Sequence, residues 1–377
     1  VLMQIYTSAG WDQREAAQSI LKNNLFGLDI DDRAAQLAYF AVMMKARQYD
    51  RRLLTRGIQP NIYSIRESNG IQAMTIEYFH RNDPKLKSDI ERIVTEMRDA
   101  KEYGSILNIT PVDFAGLYAW FDEIREDINM MQMSALDELL PLVKCAELLA
   151  QKYDVVVTNP PYMGSSGMNA RLSQYVKDHF PDTKADLFSC FIERGFQLAN
   201  VQGFVSMITM ESWMFLSSFE KMRQSIVNTH TIVNMVHMPY LGKGGTSLGI
   251  NFGTAAVIFN KRYCRDYNSQ FDYICYYETD ENGVPFAFPT VNERYKAVKA
   301  TNFSKIPGSP VAYWVSDNVF QLYAESKKIA DYGYARQGIA TGENDRFMRN
   351  WYEPDFHKVA CPPERYIGDT KMKWYPY

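Results

Sequence analysis

Four consecutive residues, Asn159-Pro160-Pro161-Tyr162, place an amide, a rigid backbone with open carbonyls and an aromatic ring directly after the apolar run Val155-Val156-Val157. Neither proline has a backbone N–H to give to a sheet ladder, so a strand through the valines must end at Asn159. Three valines between such breakers read as a short parallel strand buried on both faces. The residues after Thr158 then lie at its carboxyl edge, where ligands bind in open α/β sheets. Such a set suits a planar base that carries an exocyclic amino group. The N6 nitrogen of adenine is a poor nucleophile, because its lone pair is delocalised into the ring. Two acceptors on its hydrogens would hold it and help to localise that pair. The Asn159 amide oxygen and the Pro160 carbonyl can serve. Proline fixes φ, so that carbonyl is aimed with little entropy to lose. Tyr162 offers a stacking face worth about 1–3 kcal/mol. A sulfonium methyl donor leaves without acid assistance, so catalysis would be mainly positioning and electrostatics. No catalytic His or Cys is demanded. A base inside a duplex must be flipped out to reach such a site. The plainer alternative is a rigid turn after a strand.

The elements that would position this edge are legible along the chain. A short helix over residues 12–22 precedes a strand at Leu25-Phe26-Gly27-Leu28-Asp29-Ile30. Asp31 or Asp32 can cap the next helix, which runs to about Gln48 with Leu37, Phe40, Ala41 and Met44 on one apolar face. Strand, acidic residue and helix form a Rossmann-like unit. At the strand tip, Asp29 could accept both ribose hydroxyls of a nucleoside, or could only start the turn. Residues 57–150 mix short strand signals with helices, including a candidate strand at Gly104 to Ile109, and read as a helical insertion without assigned chemistry. Beyond the Asn-Pro-Pro-Tyr edge come a small-residue loop (163–169) and helices at 170–180 and 186–199. A buried strand at 203–209 and a helix at 217–228 follow. Thr231–His237 and Thr254–Phe259 are two more strands, separated by the glycine-rich stretch 242–249, which lacks the spacing of a phosphate cradle. From Lys261 the composition shifts to aromatics and short alternating segments, which suggests a change of domain. A linking helix is expected over 314–332.

With 377 residues, 46% of them hydrophobic and 23% charged, the chain can bury a sizeable core. No run of about eighteen apolar residues occurs, so no membrane span or membrane partner is expected. Cys145, Cys190, Cys264, Cys275 and Cys361 are scattered without a CxxC pair or Cys/His cluster, so neither a disulfide framework nor a metal site is supported. A reducing cytoplasm fits this best. The net charge of −3 does not advertise a nucleic-acid binder. The basic run from Lys45 to Arg56 reads as a solvated helix end. The chain starts without Met or a signal-peptide pattern and stops on an aromatic run, Trp374-Tyr375-Pro376-Tyr377, as a piece of a longer protein would.

Val156-Val157-Thr158-Asn159-Pro160-Pro161-Tyr162 resembles the catalytic motif of S-adenosylmethionine-dependent methyltransferases that act on amino groups. Adenine-N6 DNA enzymes and glutamine-N5 protein enzymes share it. Three further stretches resemble large bacterial adenine-specific DNA methylases: Asn24 to Ala38, Tyr162 to Asn169, and Lys184-Ala185-Asp186-Leu187-Phe188. Within that group the chain is most similar to the PglX-type methylases of BREX phage-defence systems, with type IIG restriction-modification enzymes as relatives. The resemblance covers roughly residues 15–352. It implies an α/β, Rossmann-like methyltransferase domain that takes S-adenosylmethionine as cofactor and double-stranded DNA as partner, alongside other defence proteins. Asp29 would hold the cofactor ribose and Ile30 would pack on its adenine. Asn159, Pro160, Pro161 and Tyr162 would form the catalytic edge, with Phe252 as a second aromatic on the target base.

On this footing residues 1–262 are part of the catalytic domain, with the helical insertion at about 57–150. Residues 263–330 are a connecting region. Residues 331–377 open a target recognition domain, with Gly338 to Phe347 and Trp351 at its entry. One departure matters: the family's glycine-containing first motif is absent and is expected upstream of Val1, so this piece should bind the cofactor poorly or not at all. Two other functions remain compatible with the residues: a DNA-binding scaffold or sensor of a defence complex, and glutamine methylation of a protein.

Overall fold

In the computed structural model, residues 1–126, 129–238, 252–280, 284–289, 292–327 and 331–333 are described. The glycine-rich stretch 242–249, Gly338 to Phe347, and Trp351 lie outside them. Two compact units divide at Ala324/Glu325. The first unit carries all eight strands, in two sheets.

The smaller sheet comes from the N-terminal motif. Strand β1 (Phe26–Asp29) pairs in parallel with β2 (Asn61–Ser64), with Asp29 opposite Ser64. The helix Asp32–Arg47 connects them and starts on Asp31, whose Oδ1 accepts the Arg33 and Ala34 N–H groups at 2.7 and 2.9 Å. The face expected to be apolar is present but uncovered: Leu37 is 68% and Phe40 61% exposed, while Ala35, Met43 and Ala46 are buried. At the end of this helix Arg56 pairs with the buried Asp50, so the basic run is anchored at one point.

The larger sheet has the order β3-β4-β6-β5-β7-β8. Strands β3 (Tyr153–Thr158) and β4 (Ala199–Met210) are parallel; β6 (Thr254–Asn260) lies antiparallel between β4 and β5 (Thr231–Met238). Beyond β5 come a parallel β7 (Asn268–Tyr273) and an antiparallel β8 (Lys296–Lys299). The sheet therefore continues through the composition shift at Lys261, and residues 263–324 lie in the same compact unit. One face packs on the helices Leu187–Leu198 and Glu220–Thr229 through Val205, Met207, Ile192 and Trp213. Gly195 lets the first of these approach: a Cβ there would stand 2.7 Å from Val205 Cγ1.

Two expectations change. Strand β3 is parallel but not doubly buried, since Val155 is 56% and Val157 72% exposed. Its other neighbour is a cleft of about 160 Å³ lined by Phe26 and Leu28 of β1 and by Tyr153, Val155 and Val157 of β3. Among the described residues, β1 has a ladder partner only in β2 and β3 only in β4. Residues 57–150, with their short strand signals and helices, supply β2 and build a separate core around Phe79, Phe121, Leu139 and Leu149. Within them Gly104–Ile106 forms a 3₁₀ turn instead of a strand, starting on Gly104 at φ +62°.

Candidate active site

Because β3, β4 and β5 run in one direction and β6 runs against them, the carboxyl ends of three strands and the start of a fourth share one edge. Asn159 follows β3, Glu211 follows β4, His237 is the penultimate residue of β5, and Phe252-Gly253 lead into β6. The Pro-Pro breaker ends β3 where the sequence requires. Asn159 is exposed at the strand end, Pro160 is buried, Pro161 is exposed and Tyr162 is half-buried.

The motif is held from both ends. The Tyr162 hydroxyl lies 3.0 Å from the Ile208 carbonyl oxygen and 3.2 Å from Asn159 Oδ1. Burial pushes this hydroxyl's pKa up, so it remains a donor. The tyrosine ring meets Phe252 edge-on, with centroids 5.2 Å apart and planes at 86°, and meets Phe188 at 6.3 Å. Tyr162 thus brings Asn159 and Phe252, far apart in the chain, to one place.

The loop after the motif is tied down by Asp186. Its Oδ1 accepts the Met163 N–H at 3.1 Å and the Phe188 N–H at 3.2 Å, capping the helix Leu187–Leu198. Burial raises this carboxyl's pKa, and the backbone N–H groups of Phe188, Met163 and Leu187 pull against it. The Leu187 N–H to Met163 carbonyl bond completes the tie.

Asp29 and Ile30 sit at the tip of β1 on the smaller sheet, beyond the cleft. Asp29 Oδ1 accepts the Asp31 N–H at 2.9 Å, and Ile30 is 48% exposed. Three residues with no assigned role in the sequence surround this tip. Lys101 lies 3.4 Å from Asp32 Oδ2, Arg66 lies 4.0 Å from Asp32 Oδ1, and a Cβ on Gly104 would stand 3.5 Å from Ile30 Cδ1. Ser64 and then Lys101 hold the Asp32 carboxyl below its ordinary range. The 99–102 segment also reaches the loop beyond Tyr162, through Arg171 to Asp99 at 2.8 Å and Asn169 to Glu102 at 2.6 Å. The region without assigned chemistry therefore borders both halves of the site. No local signal marks these contacts, which depend on the return of a distant segment.

Glu211, His237 and Tyr313 were also unmarked. Each is an isolated polar residue in an otherwise apolar segment. Among the described residues there is no cluster of metal-ligating side chains, and no helix is long and apolar enough to cross a membrane.

Residues 23–242 match the family model described as Eco57I restriction-modification methylase. The chain is 34% identical over 403 residues to the adenine-specific methyltransferase BrxX of Escherichia coli O9:H4 (strain HS), covering 100% of this chain and 32% of that protein. It is 33% identical over 402 residues to the adenine-specific methyltransferase PglX of Lacticaseibacillus casei (strain Zhang), with the same coverage. The chain thus spans about a third of the length of these curated relatives. Among solved structures, the ATP-dependent Type ISP restriction-modification enzyme LlaBIII bound to DNA matches 72% of this chain and 16% of its own. That match has 12% identity and a TM-score of 0.42.

Proposed function

The chain belongs to the Eco57I restriction-modification methylase family, and from that premise we propose that it carries the acceptor half of a site-specific adenine-N6 DNA methyltransferase in phage defence. The observation that carries this reading is the Asn159-Pro160-Pro161-Tyr162 edge at the end of β3, faced by Phe252 across 5.2 Å. Double-stranded DNA is the substrate, and the target adenine is flipped out of it. Residues 331–377 open the domain that reads the DNA sequence, and other defence proteins act alongside in the cytoplasm.

In this mechanism Tyr162 stacks on the base and Phe252 borders its edge. The Asn159 amide oxygen and the Pro160 carbonyl accept the two N6 hydrogens. Both acceptors are fixed in advance, the first by the Tyr162 hydroxyl and the second by the proline ring, so little reorganisation accompanies reaction. The acceptors hold the amino group while its nitrogen forms the new bond, and its surplus proton passes to water.

S-adenosylmethionine, when bound, supplies an activated methyl group on a sulfonium. A half-buried carboxylate at a strand tip beside an exposed Ile30 and a close glycine fits its nucleoside part: Asp29 would accept ribose hydroxyls and Ile30 would pack on the adenine. The cleft between β1 and β3 adjoins this tip.

The test is sequencing of N6-methyladenine in the DNA of cells that carry the full-length gene. A motif-specific mark is expected with the wild type and its loss with Asn159→Ala. Persistence of the mark in that variant would refute the assignment.

A further inference from the structure

A buried polar chain lies behind the aromatic wall of the site. Glu211 Oε2 is 2.7 Å from His237 Nε2, and His237 Nδ1 is 2.8 Å from the Tyr313 hydroxyl. His237 is 3% and Tyr313 1% exposed. Tyr313 is itself locked, stacked on Phe271 at 4.5 Å with planes 3° apart. Polar groups buried in this way cost free energy unless their partners hold them in one arrangement, and a satisfied chain is correspondingly rigid.

The rigid chain ends on the residue that neighbours Phe252. The Glu211 N–H donates to the Gly253 carbonyl at 2.9 Å. A Cβ on Gly253 would stand 2.2–2.5 Å from the Glu211 carboxylate atoms, so a side chain there would force the carboxylate out of its place beside His237. The glycine is therefore required by the approach of the carboxylate. The same carboxylate is fixed by His237, whose strand position is opposite Ala255 in β6. Three elements, the ends of β4 and β5 and the Tyr313 segment, converge on the backbone that carries Phe252.

We infer that Glu211, braced by His237 and Tyr313, is a positioning residue of the target-base pocket: it seats Gly253 and thereby sets the Phe252 ring edge-on to Tyr162. The role in base positioning rests on the adenine-methyltransferase reading above; the control of Phe252 does not. Nothing in the chain requires Glu211 to touch the substrate.

The test uses the full-length protein labelled with 4-fluorophenylalanine, with the Phe252 signal assigned by its loss in Phe252→Leu. In the wild type this fluorine should show a ring-shifted resonance from the edge-on Tyr162. Glu211→Ala and Gly253→Ala should each move it toward the position of an unstructured ring, while Glu211→Gln, which keeps a hydrogen-bonding side chain of the same length, should hold it. Melting curves confirm that each variant is folded, and Gly253→Ala carries the test if Glu211→Ala is not. In the methylation assay kcat should fall about 10- to 100-fold in Glu211→Ala, with KM for DNA nearly unchanged and Glu211→Gln restoring most of the rate. Adding Glu211→Ala to Phe252→Leu should cost little more than Phe252→Leu alone. An unmoved fluorine signal in folded Glu211→Ala and Gly253→Ala would overturn the inference, as would fully additive losses. If the signal responds but the wild type methylates no adenine, the positioning stands and the functional reading fails.

Discussion

Tyr162 holds Asn159: its hydroxyl stands 3.2 Å from the Asn159 Oδ1 and 3.0 Å from the Ile208 carbonyl oxygen. The hydroxyl has one hydrogen, so it serves one acceptor at a time. Asn159 Oδ1 keeps a lone pair for a second donor in either case. The first and last residues of the motif are therefore one unit.

That unit separates two contributions. Tyr162→Phe keeps the ring and removes the tether, and should slow single-turnover methylation by the full-length protein about 3- to 10-fold, the equivalent of one hydrogen bond. Tyr162→Ala removes the ring as well and should lose about a further 1–3 kcal/mol of base binding. Equal losses in the two variants would remove the ring from the role of platform.

Asp29 and Asp31 look alike in the sequence, but Asp31 caps the following helix while Asp29 is proposed to hold the cofactor ribose. Asp29→Ala should weaken S-adenosylmethionine binding to the full-length protein about 10-fold or more, as loss of a charged acceptor does, with little change in Tm. Asp31→Ala should lower Tm, because it removes the cap of the helix Asp32–Arg47, and leave cofactor affinity nearly intact. Isothermal titration and melting on the same samples would expose an exchange of these roles.

The sheet has a tight face and an open one. Gly195→Ala forces a Cβ to within 2.7 Å of Val205 Cγ1 and 2.8 Å of Met207 Cε, and should destabilise by about 1–3 kcal/mol. Val157→Thr, on a side chain 72% exposed, should stay within about 0.5 kcal/mol. Urea unfolding of this chain measures both. A large loss from Val157→Thr would mean that the open face is covered.

Asp32 makes stability depend on pH with a defined sign. Its carboxyl is held below the ordinary value of 3.8, first by the hydrogen bond with Ser64 and then by Lys101 and Arg66. A depressed value in the folded state stabilises the fold above 3.8, and that contribution is lost as pH falls through the lower folded-state value. The Tm gap between wild type and Asp32→Asn should therefore be widest near about pH 6 and close toward about pH 3. A gap that widens on acidification would reverse the assignment.

What was legible depended on local chemistry. The Pro-Pro stop of β3, the Asp31 cap and the Asp186 cap act within a turn of their own backbone, and each forms where its residues predict. The apolar stripe Leu37, Phe40, Ala41 and Met44 forms the helix face that its spacing predicts, but Leu37 and Phe40 are exposed, because periodicity reports a face and not what lies against it. The three valines of β3 misled in the same way: an apolar run is compatible with two buried faces but does not supply the second cover. The shift at Lys261 marked a change of composition, while β7 and β8 continue the same sheet.

The sequence by itself determined the Asn159-Pro160-Pro161-Tyr162 edge, because proline's missing N–H ends the strand at that residue in any fold that contains it. It also determined the acidic tip at Asp29 and the helix that follows. Only the tertiary structure decided what faces those residues. Phe252 meets Tyr162, Gly104 meets Ile30, and Glu211 meets both Gly253 and His237, through contacts between segments far apart in the chain. Such contacts follow from strand order, and above all from the antiparallel β6 lying between β4 and β5. No local pattern encodes that order; it is set by which surfaces must be buried together.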